Sequence, residues 1–309
     1  MIYTLTLNPA LDWTIVLDHL EADDTLRPIA EERYAAGKGI NVSRVIRALG
    51  GNSVATGFAG GYEGLELEGR LVNEGVLTNF TRIGGSTRVN LIIKEKDTGR
   101  QFSIGSPGPE IRMLELGQLY EELKNVPDPT YVVISGSVPK GIDPGIYSQF
   151  IVTFRKRGAK IALDADGKAL RRGIEMKPDF IKPNLHELKR LSNKELKSTE
   201  EVVIEARRLV DSGISHVIVS MGPKGLIVVT AETAIEAIPP VVQVDSTVGA
   251  GDSALGAFIL AHSRGSTLEE CTVLACAAGT ATSITPATAL CSLDLVEAIK
   301  PHVTWKRIL

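Results

Sequence analysis

The sequence predicts an α/β fold with a mostly parallel central sheet and a small, separate β-sheet beside it. Three observations lead there. From about residue 130 short apolar runs alternate with helix-like segments, which is the pattern of βαβ units. Each run closes on polar or glycine residues. The N-terminal third instead carries segments that alternate apolar and polar, as half-buried strands do.

Taken in order, 3–7 reads as a strand. Segments 13–17 and 87–94 alternate like antiparallel strands, and Gln101–Ile104 pairs with the second across the Asp97-Thr98-Gly99 turn. Between them Gly37-Lys38-Gly39-Ile40-Asn41 opens a helix over 42–49, stopped by Gly50-Gly51. The later strands are Tyr131–Ser135, 161–163, Phe180–Ile181, His216–Ser220 and 226–230. The clearest helix is Thr199–Asp211, with Val202, Val203, Ala206, Leu209 and Val210 on one face. The endings Ser135-Gly136-Ser137, Asp164-Ala165-Asp166, Lys182-Pro183-Asn184 and Ser220-Met221-Gly222 should line one rim, because open parallel sheets bind ligands beyond the carboxyl ends of their strands.

Composition narrows the function. A chain of 309 residues holds one large domain, or one domain with a smaller appendage. Its 43% hydrophobic and 23% charged content is that of a soluble globular protein. A net charge of −3 leaves no basic excess to neutralise a duplex, so nucleic acid is not an expected partner. No apolar stretch approaches the ~20 residues of a membrane span, and the opening lacks the basic and apolar regions of a signal peptide. Cys271, Cys276 and Cys291 form no CxxC pair, and a reducing cytoplasm is expected. The five histidines are scattered, which argues against a zinc site.

The most informative stretch is Ser246-Thr247-Val248-Gly249-Ala250-Gly251-Asp252-Ser253, followed by an amphipathic run. Its glycines let successive N–H groups face one point, and a helix start favours an anion there. Asp252 then admits two readings: a helix N-cap, or a general base that takes a proton from whatever attacks the anion. No Gly-x4-Gly-Lys-[Ser/Thr] occurs, Gly-x-Gly-x-x-Gly is absent after Gly37, and the protein-kinase motifs are missing. What remains is a pair of Gly-rich helix starts, at Gly37 and Gly249, able to hold two ligands that exchange a phosphate.

With these motifs in place the chain resembles the ribokinase-like (PfkB) carbohydrate kinases over essentially its full length. The resemblance rests on Ala36-Gly37-Lys38-Gly39-Ile40-Asn41-Val42-Ser43, on Asp245 to Ser253, and on Ser135-Gly136-Ser137 and Lys182-Pro183-Asn184-x-x-Glu187 between them. The opening Thr4-Leu5-Thr6-Leu7-Asn8-Pro9-Ala10-Leu11-Asp12 is similar to the phosphofructokinase and tagatose-6-phosphate kinase branch.

The resemblance implies a three-layer α/β/α main domain over 1–11, 36–86 and 106–309, and a β lid over 12–35 and 87–105. It implies Asp252 as base, with Gly249, Ala250 and Gly251 stabilising the transferring phosphoryl group. Asp12, Arg27, Gly37, Lys38, Gly39, Asn41, Arg88 and Ser137 would bind the phosphosugar, with Arg88 as the forked phosphate ligand. Lys182, Asn184, Ser220, Gly222, Lys224 and Thr247 would join Gly249 and Gly251 around ATP. Asn184 and Glu187 would face Mg²⁺ through water.

Read as plain structure, 182–187 is a strand, turn and polar-capped helix, and Gly222-Pro223-Lys224-Gly225 is a hairpin turn. The expected partners are a small phosphosugar, ATP and a second copy of the chain, a homodimer through the lid. Ala287-Thr288-Ala289 stands where 6-phosphofructokinase relatives have Gly-Thr-Arg, which counts against K⁺. Thr25 stands where some fructose-6-phosphate enzymes have lysine. The expected reaction is phosphorylation of fructose 6-phosphate to the 1,6-bisphosphate. Fructose 1-phosphate and tagatose 6-phosphate are alternative acceptors, and a non-catalytic sugar-phosphate sensor is the alternative of another class.

Overall fold

A computed structural model of the chain describes residues 1–308. The chain begins with β1 (Ile2–Thr6), β2 (Ala10–Leu17) and β3 (Ala30–Ala36), followed by α1 (Lys38–Ala48), β4 (Ser53–Gly60) and α2 (Gly61–Asn73). Next come β5 (Leu77–Ile83), β6 (Arg88–Glu95), β7 (Gln101–Ile104), α3 (Met113–Lys124), β8 (Tyr131–Ser135) and α4 (Ile146–Arg155). The middle holds β9 (Lys160–Asp164), α5 (Gly167–Glu175), β10 (Phe180–Ile181), α6 (Leu185–Ser192), α7 (Thr199–Asp211) and β11 (His216–Ser220). The last part is β12 (Leu226–Val229), β13 (Ala234–Ile238), α8 (Ala250–Ser263), α9 (Leu268–Ser283), α10 (Leu293–Ile299) and β14 (Thr304–Arg307).

The main sheet has ten strands in the order β14-β13-β12-β11-β10-β9-β8-β1-β4-β5. From β5 to β11 every neighbouring pair is parallel, and β12, β13 and β14 continue antiparallel. The central strands are mostly apolar because helices cover both faces. Val132 and Ile134 of β8, Ile161 and Leu163 of β9, and Val217 and Val219 of β11 point into one core with α3 to α7. Val133, Ala162 and Ile218 point into the other, against α1, α8, α9 and α10. Each fully buried Val, Ile or Leu among them stabilises the fold by roughly 1.5–3 kcal/mol. Chain order reverses at β1, with β4 on one side and β8 on the other, so the binding crevice falls beyond the carboxyl ends of β1 and β8.

The run after Gly251, read as amphipathic, is buried all round from Asp252 to Ala261. Helix α8 is packed between α1 and α9, which leaves it no solvent face. Gly256 permits the approach to α1, since a Cβ there would lie 3.1 Å from the Val42 carbonyl oxygen.

The small sheet has the order β3-β2-β6-β7. Here one expectation is corrected: β2 and β6 are parallel, Ala10 to Leu17 against Arg88 to Glu95. The chain between them passes through the main sheet and returns in the same direction. Alternation reports two unlike faces, not strand direction. The pair β6 with β7 is antiparallel as expected, and β2 also pairs antiparallel with β3, a strand the sequence reading did not mark. Leu11, Ala35, Ile40, Ala59, Leu67 and Phe80 form a third cluster that seats this sheet on the main body. Among the described residues no helix is long and apolar enough to cross a membrane.

Candidate active site

The four strand endings do share one rim, because β8, β9, β10 and β11 are neighbours and parallel. Asp164 ends β9 and is 1% exposed. One carboxylate oxygen accepts a hydrogen bond from Lys38 Nζ at 2.7 Å, and the other lies 3.1 Å from Lys182 Nζ. Lys38 Nζ is also 4.0 Å from Glu187. Burial opposes the charge on Asp164, but the Lys182 and Lys38 ammoniums outweigh it, and its pKa falls below the ordinary carboxylate value. Burial likewise opposes the Lys38 charge, and the Asp164 carboxylate more than offsets it, so Lys38 stays protonated.

Helix α8 begins on the other side of this cluster. Its N-cap is Gly249, in the left-handed region at φ 78, and no side chain caps it. The N-cap reading of Asp252 is therefore overturned. Asp252 is the third residue of α8, and its Oδ2 accepts a hydrogen bond from Asn41 Nδ2 at 2.7 Å. A capping carboxylate turns back over its own helix end, whereas this one reaches across to α1. Burial first, and the Asp164 charge second, push its pKa up to about 6, against the opposing pull of Asn41, Lys38 and Lys182. A group poised there can take a proton near neutral pH. Gly251 is also tightly placed: a Cβ on it would lie 3.1 Å from Lys182 Nζ. Two ammoniums, a helix N-terminus and one carboxyl with a raised pKa thus meet in a single place, which suits transfer of a highly charged group.

Asn184 and Glu187 do form the polar cap that plain structure predicts. The Asn184 side chain accepts from the Glu187 N–H, and Glu187 Oε2 accepts from the Asn184 N–H, both at 2.8 Å. Only Glu187 Oε1 still faces the Lys38 side. Ser220 joins this group through a parallel bridge to Asn184. The segment Gly222–Lys224 is a 3₁₀ turn that carries β11 into the antiparallel β12, as the hairpin reading expects. Lys224 and Thr247 are exposed.

On the small-sheet side, Asp12 is buried and accepts from Asn90 Nδ2 at 2.8 Å, and burial raises its pKa. Gly37 is left-handed at φ 121, and Gly39 presses on β1, where a Cβ would sit 2.4 Å from Thr6 Oγ1. Arg88 sends its two terminal nitrogens to the carbonyls of Ser106 at 2.9 Å and Asn8 at 3.1 Å, while its Nε is buried without a partner. Ser137 is exposed, and its Oγ accepts from Asn8 Nδ2 at 3.2 Å. Arg27 is exposed and takes no part in a hydrogen bond or ion pair among the described residues. The structure thus brings Lys38, Asn41, Lys182, Glu187 and Asp252 together, and leaves Arg27 outside. Sequence reasoning put Asp164 on the ligand rim and Asn8 in the opening motif without giving either a partner, and gave no role to Asn90. Asp164 carried a usable signal, since it is a carboxylate at the carboxyl end of an apolar strand.

Residues 6–294 match the profile of the pfkB family carbohydrate kinases. The chain belongs to that family. It is 38% identical to the 1-phosphofructokinase of Borreliella burgdorferi over 92% of both chains. It is 35% identical to the ATP-dependent 6-phosphofructokinase isozyme 2 of Escherichia coli, over 98% of this chain and 99% of that one. The crystal structure of phosphofructokinase-2 from E. coli in complex with substrates and products superposes with a TM-score of 0.92 at 36% identity, over 97% and 98% of the two chains. As a pfkB-family member of the phosphofructokinase type, the chain is a sugar-phosphate kinase, a phosphotransferase with an alcohol group as acceptor. ATP as donor, usually with Mg²⁺, goes with that family.

Proposed function

We propose that the chain transfers the γ-phosphoryl group of ATP to fructose 6-phosphate, giving fructose 1,6-bisphosphate and ADP. The observation that carries this reading is Asp252: buried, 2.7 Å from Asn41, and raised to about 6 beside a helix N-terminus and two lysines. Asp252 accepts the proton of the acceptor hydroxyl as its oxygen attacks phosphorus in line. The new O–P bond forms while the bond from phosphorus to the bridging oxygen breaks, and that electron pair leaves on ADP. First-turn N–H groups of α8, which lack an intrahelical partner, face the phosphoryl oxygens, and Lys182 and Lys38 balance their charge.

The donor set fits a magnesium ion held mostly through phosphates and water. Glu187 Oε1 is a hard oxygen, and no group of three or more His, Cys, Asp or Glu able to cage a metal occurs among the described residues. Bound there, Mg²⁺ would neutralise developing phosphate charge. In the Ala287-Thr288-Ala289 loop the buried Thr288 Oγ1 has no partner, but no step here requires K⁺.

In this proposal the segments 12–35 and 87–105 act as a lid over the acceptor, with Asp12, Arg88, Ser137 and Arg27 selecting it. The lid excludes water from the γ-phosphate. Two copies join through their small sheets, which sedimentation tests as a dimer that exposed-strand variants of β7 would split.

A second acceptor is favoured by one observation, the 38% identity to a 1-phosphofructokinase. ADP release measured with fructose 6-phosphate, fructose 1-phosphate, tagatose 6-phosphate and fructose, ranked by kcat/KM, decides between them. The proposal expects fructose 6-phosphate first. Fructose 1-phosphate or tagatose 6-phosphate in first place overturns the assigned acceptor and keeps the kinase. No ADP release with any of them favours the sensor.

A further inference from the structure

We propose that Asp164 is a positioning residue for phosphoryl transfer, holding the Lys38 and Lys182 ammoniums together against the N-terminus of α8. The geometry is specific. Asp164 sits at the last position of a central parallel strand, so its backbone is fixed by β8 on one side and β10 on the other. Its two oxygens serve two different elements, Lys38 at 2.7 Å from the opening of α1 and Lys182 at 3.1 Å from just past β10. Lys182 is itself 5% exposed and is pressed toward Gly251, as the 3.1 Å approach of a Cβ there to its Nζ requires. A buried ammonium with no counter-charge is costly and is drawn toward solvent. The buried Asp164 carboxylate holds both ammoniums in one place, that of Lys182 buried and that of Lys38 half-buried.

The cost of removing one partner from such a pair exceeds the worth of the pair, because the Lys182 ammonium left behind is buried and uncompensated. Asp164 is anchored by strand pairing, whereas both lysines have flexible stems. The carboxylate therefore acts as the fixed point and the ammoniums as the groups it places. Asp164 does not touch the reacting atoms in this arrangement, so its effect on turnover runs through Lys38 and Lys182. It also acts on the base. Asp252 faces Asp164 from β9, Lys38 and Asn41 from α1, and Lys182 from the segment after β10. Of these only Asp164 is a like charge, and it helps keep the Asp252 carboxyl readily protonated.

The inference rests on Asp252 being the base, and pH profiles separate the two claims. In Asp164→Asn, kcat should fall about 100-fold, a loss within the range of misplaced transition-state contacts. Its acid limb should shift to lower pH by about one unit, since removal of a nearby like charge lowers a carboxyl pKa. A merely structural residue would lower the yield of folded enzyme and leave that limb in place. A wild-type profile with no limb near pH 6 removes the base assignment of Asp252. A wild-type limb that Asp164→Asn leaves unmoved removes the role of Asp164, as does a kcat within about threefold of wild type. Should the Asn variant not fold, Asp164→Glu keeps the charge but displaces it by one methylene. It should retain the limb and lose at least about tenfold in kcat, and wild-type turnover in that variant overturns the proposal.

Discussion

Asn41 Nδ2 donates a hydrogen bond to Asp252 Oδ2 at 2.7 Å, which ties the opening of α1 to the opening of α8 across 211 residues of chain. Both Gly-rich helix starts read from the sequence therefore converge on one carboxylate. This bond favours the ionised form of Asp252 and works against burial, which raises its pKa. Asn41→Ala removes the opposing influence, so the pKa rises further and the acid limb of kcat/KM moves to higher pH. Asp252→Asn should lose turnover by at least about 1,000-fold while binding phosphosugar almost normally. An Asn41→Ala limb that stays put, or near-normal turnover in Asp252→Asn, removes Asp252 as the base.

Arg88 gives a second prediction. Two of its donors hold the carbonyls of Ser106 and Asn8, and only Nε lacks a partner. It braces the segments that border Asp12 and Ser137, and as a phosphate ligand it must exchange those carbonyls for phosphate oxygens. Arg88→Ala should raise KM for the phosphosugar at least about tenfold, with KM for ATP nearly unchanged. Equal increases in the two constants would mean that bracing alone is lost.

The parallel core was legible because its physics is local to the sequence. Strands buried on both faces must read as unbroken apolar runs, and β8 through β12 did. Helix α7 carried its own apolar stripe, from Val202 to Val210. The parallel pairing of β2 with β6 was not legible, since strand direction depends on the route of the chain between them. The charge network was half legible. Lys182 and Asn184 stood in a recognisable motif, whereas Asp164 is one carboxylate at one strand end and gains its meaning only from two lysines 126 and 18 residues away. The capping of Asn184 by Glu187 was legible and proved compatible with a role for the oxygen left over.

Gly249 and Gly222 make a matched pair for a third prediction. Both are left-handed, at φ 78 and φ 60. A Cβ on Gly222 meets nothing within 4 Å, while one on Gly249 would stand 2.6 Å from Leu290 Cδ2 and 3.7 Å from Asn41 Nδ2. Gly222→Ala should cost about 1 kcal/mol, the backbone penalty alone. Gly249→Ala should cost more in denaturant midpoint, because the Leu290 side chain must also swing aside, and should lower kcat, because the strained residue starts the helix that carries Asp252. Equal losses in the two variants would show that backbone conformation, not the space around Gly249, is what matters.

The last prediction concerns the opposite end of the sheet. His216 stacks on Phe180 with ring centroids 4.7 Å apart and stands edge-on to His262 at 5.3 Å. His262 in turn is hydrogen-bonded to Tyr131 at 2.7 Å. Burial first, then His262 and Lys160, depress the His216 pKa to about 4. The unfolded chain binds this proton at the ordinary value of 6.5, so between pH 6.5 and 4 it binds more protons than the folded chain. Stability supplied by the neutral ring is thus complete above pH 6.5 and is lost as pH falls toward 4. The loss should be about 2 kcal/mol, allowing for the ring's partial exposure. His216→Phe keeps a stacked ring and cannot titrate, so its urea midpoint should vary less with pH across that window. The same dependence in both proteins would mean that carboxylates elsewhere, and not this histidine pair, set the acid stability of the fold.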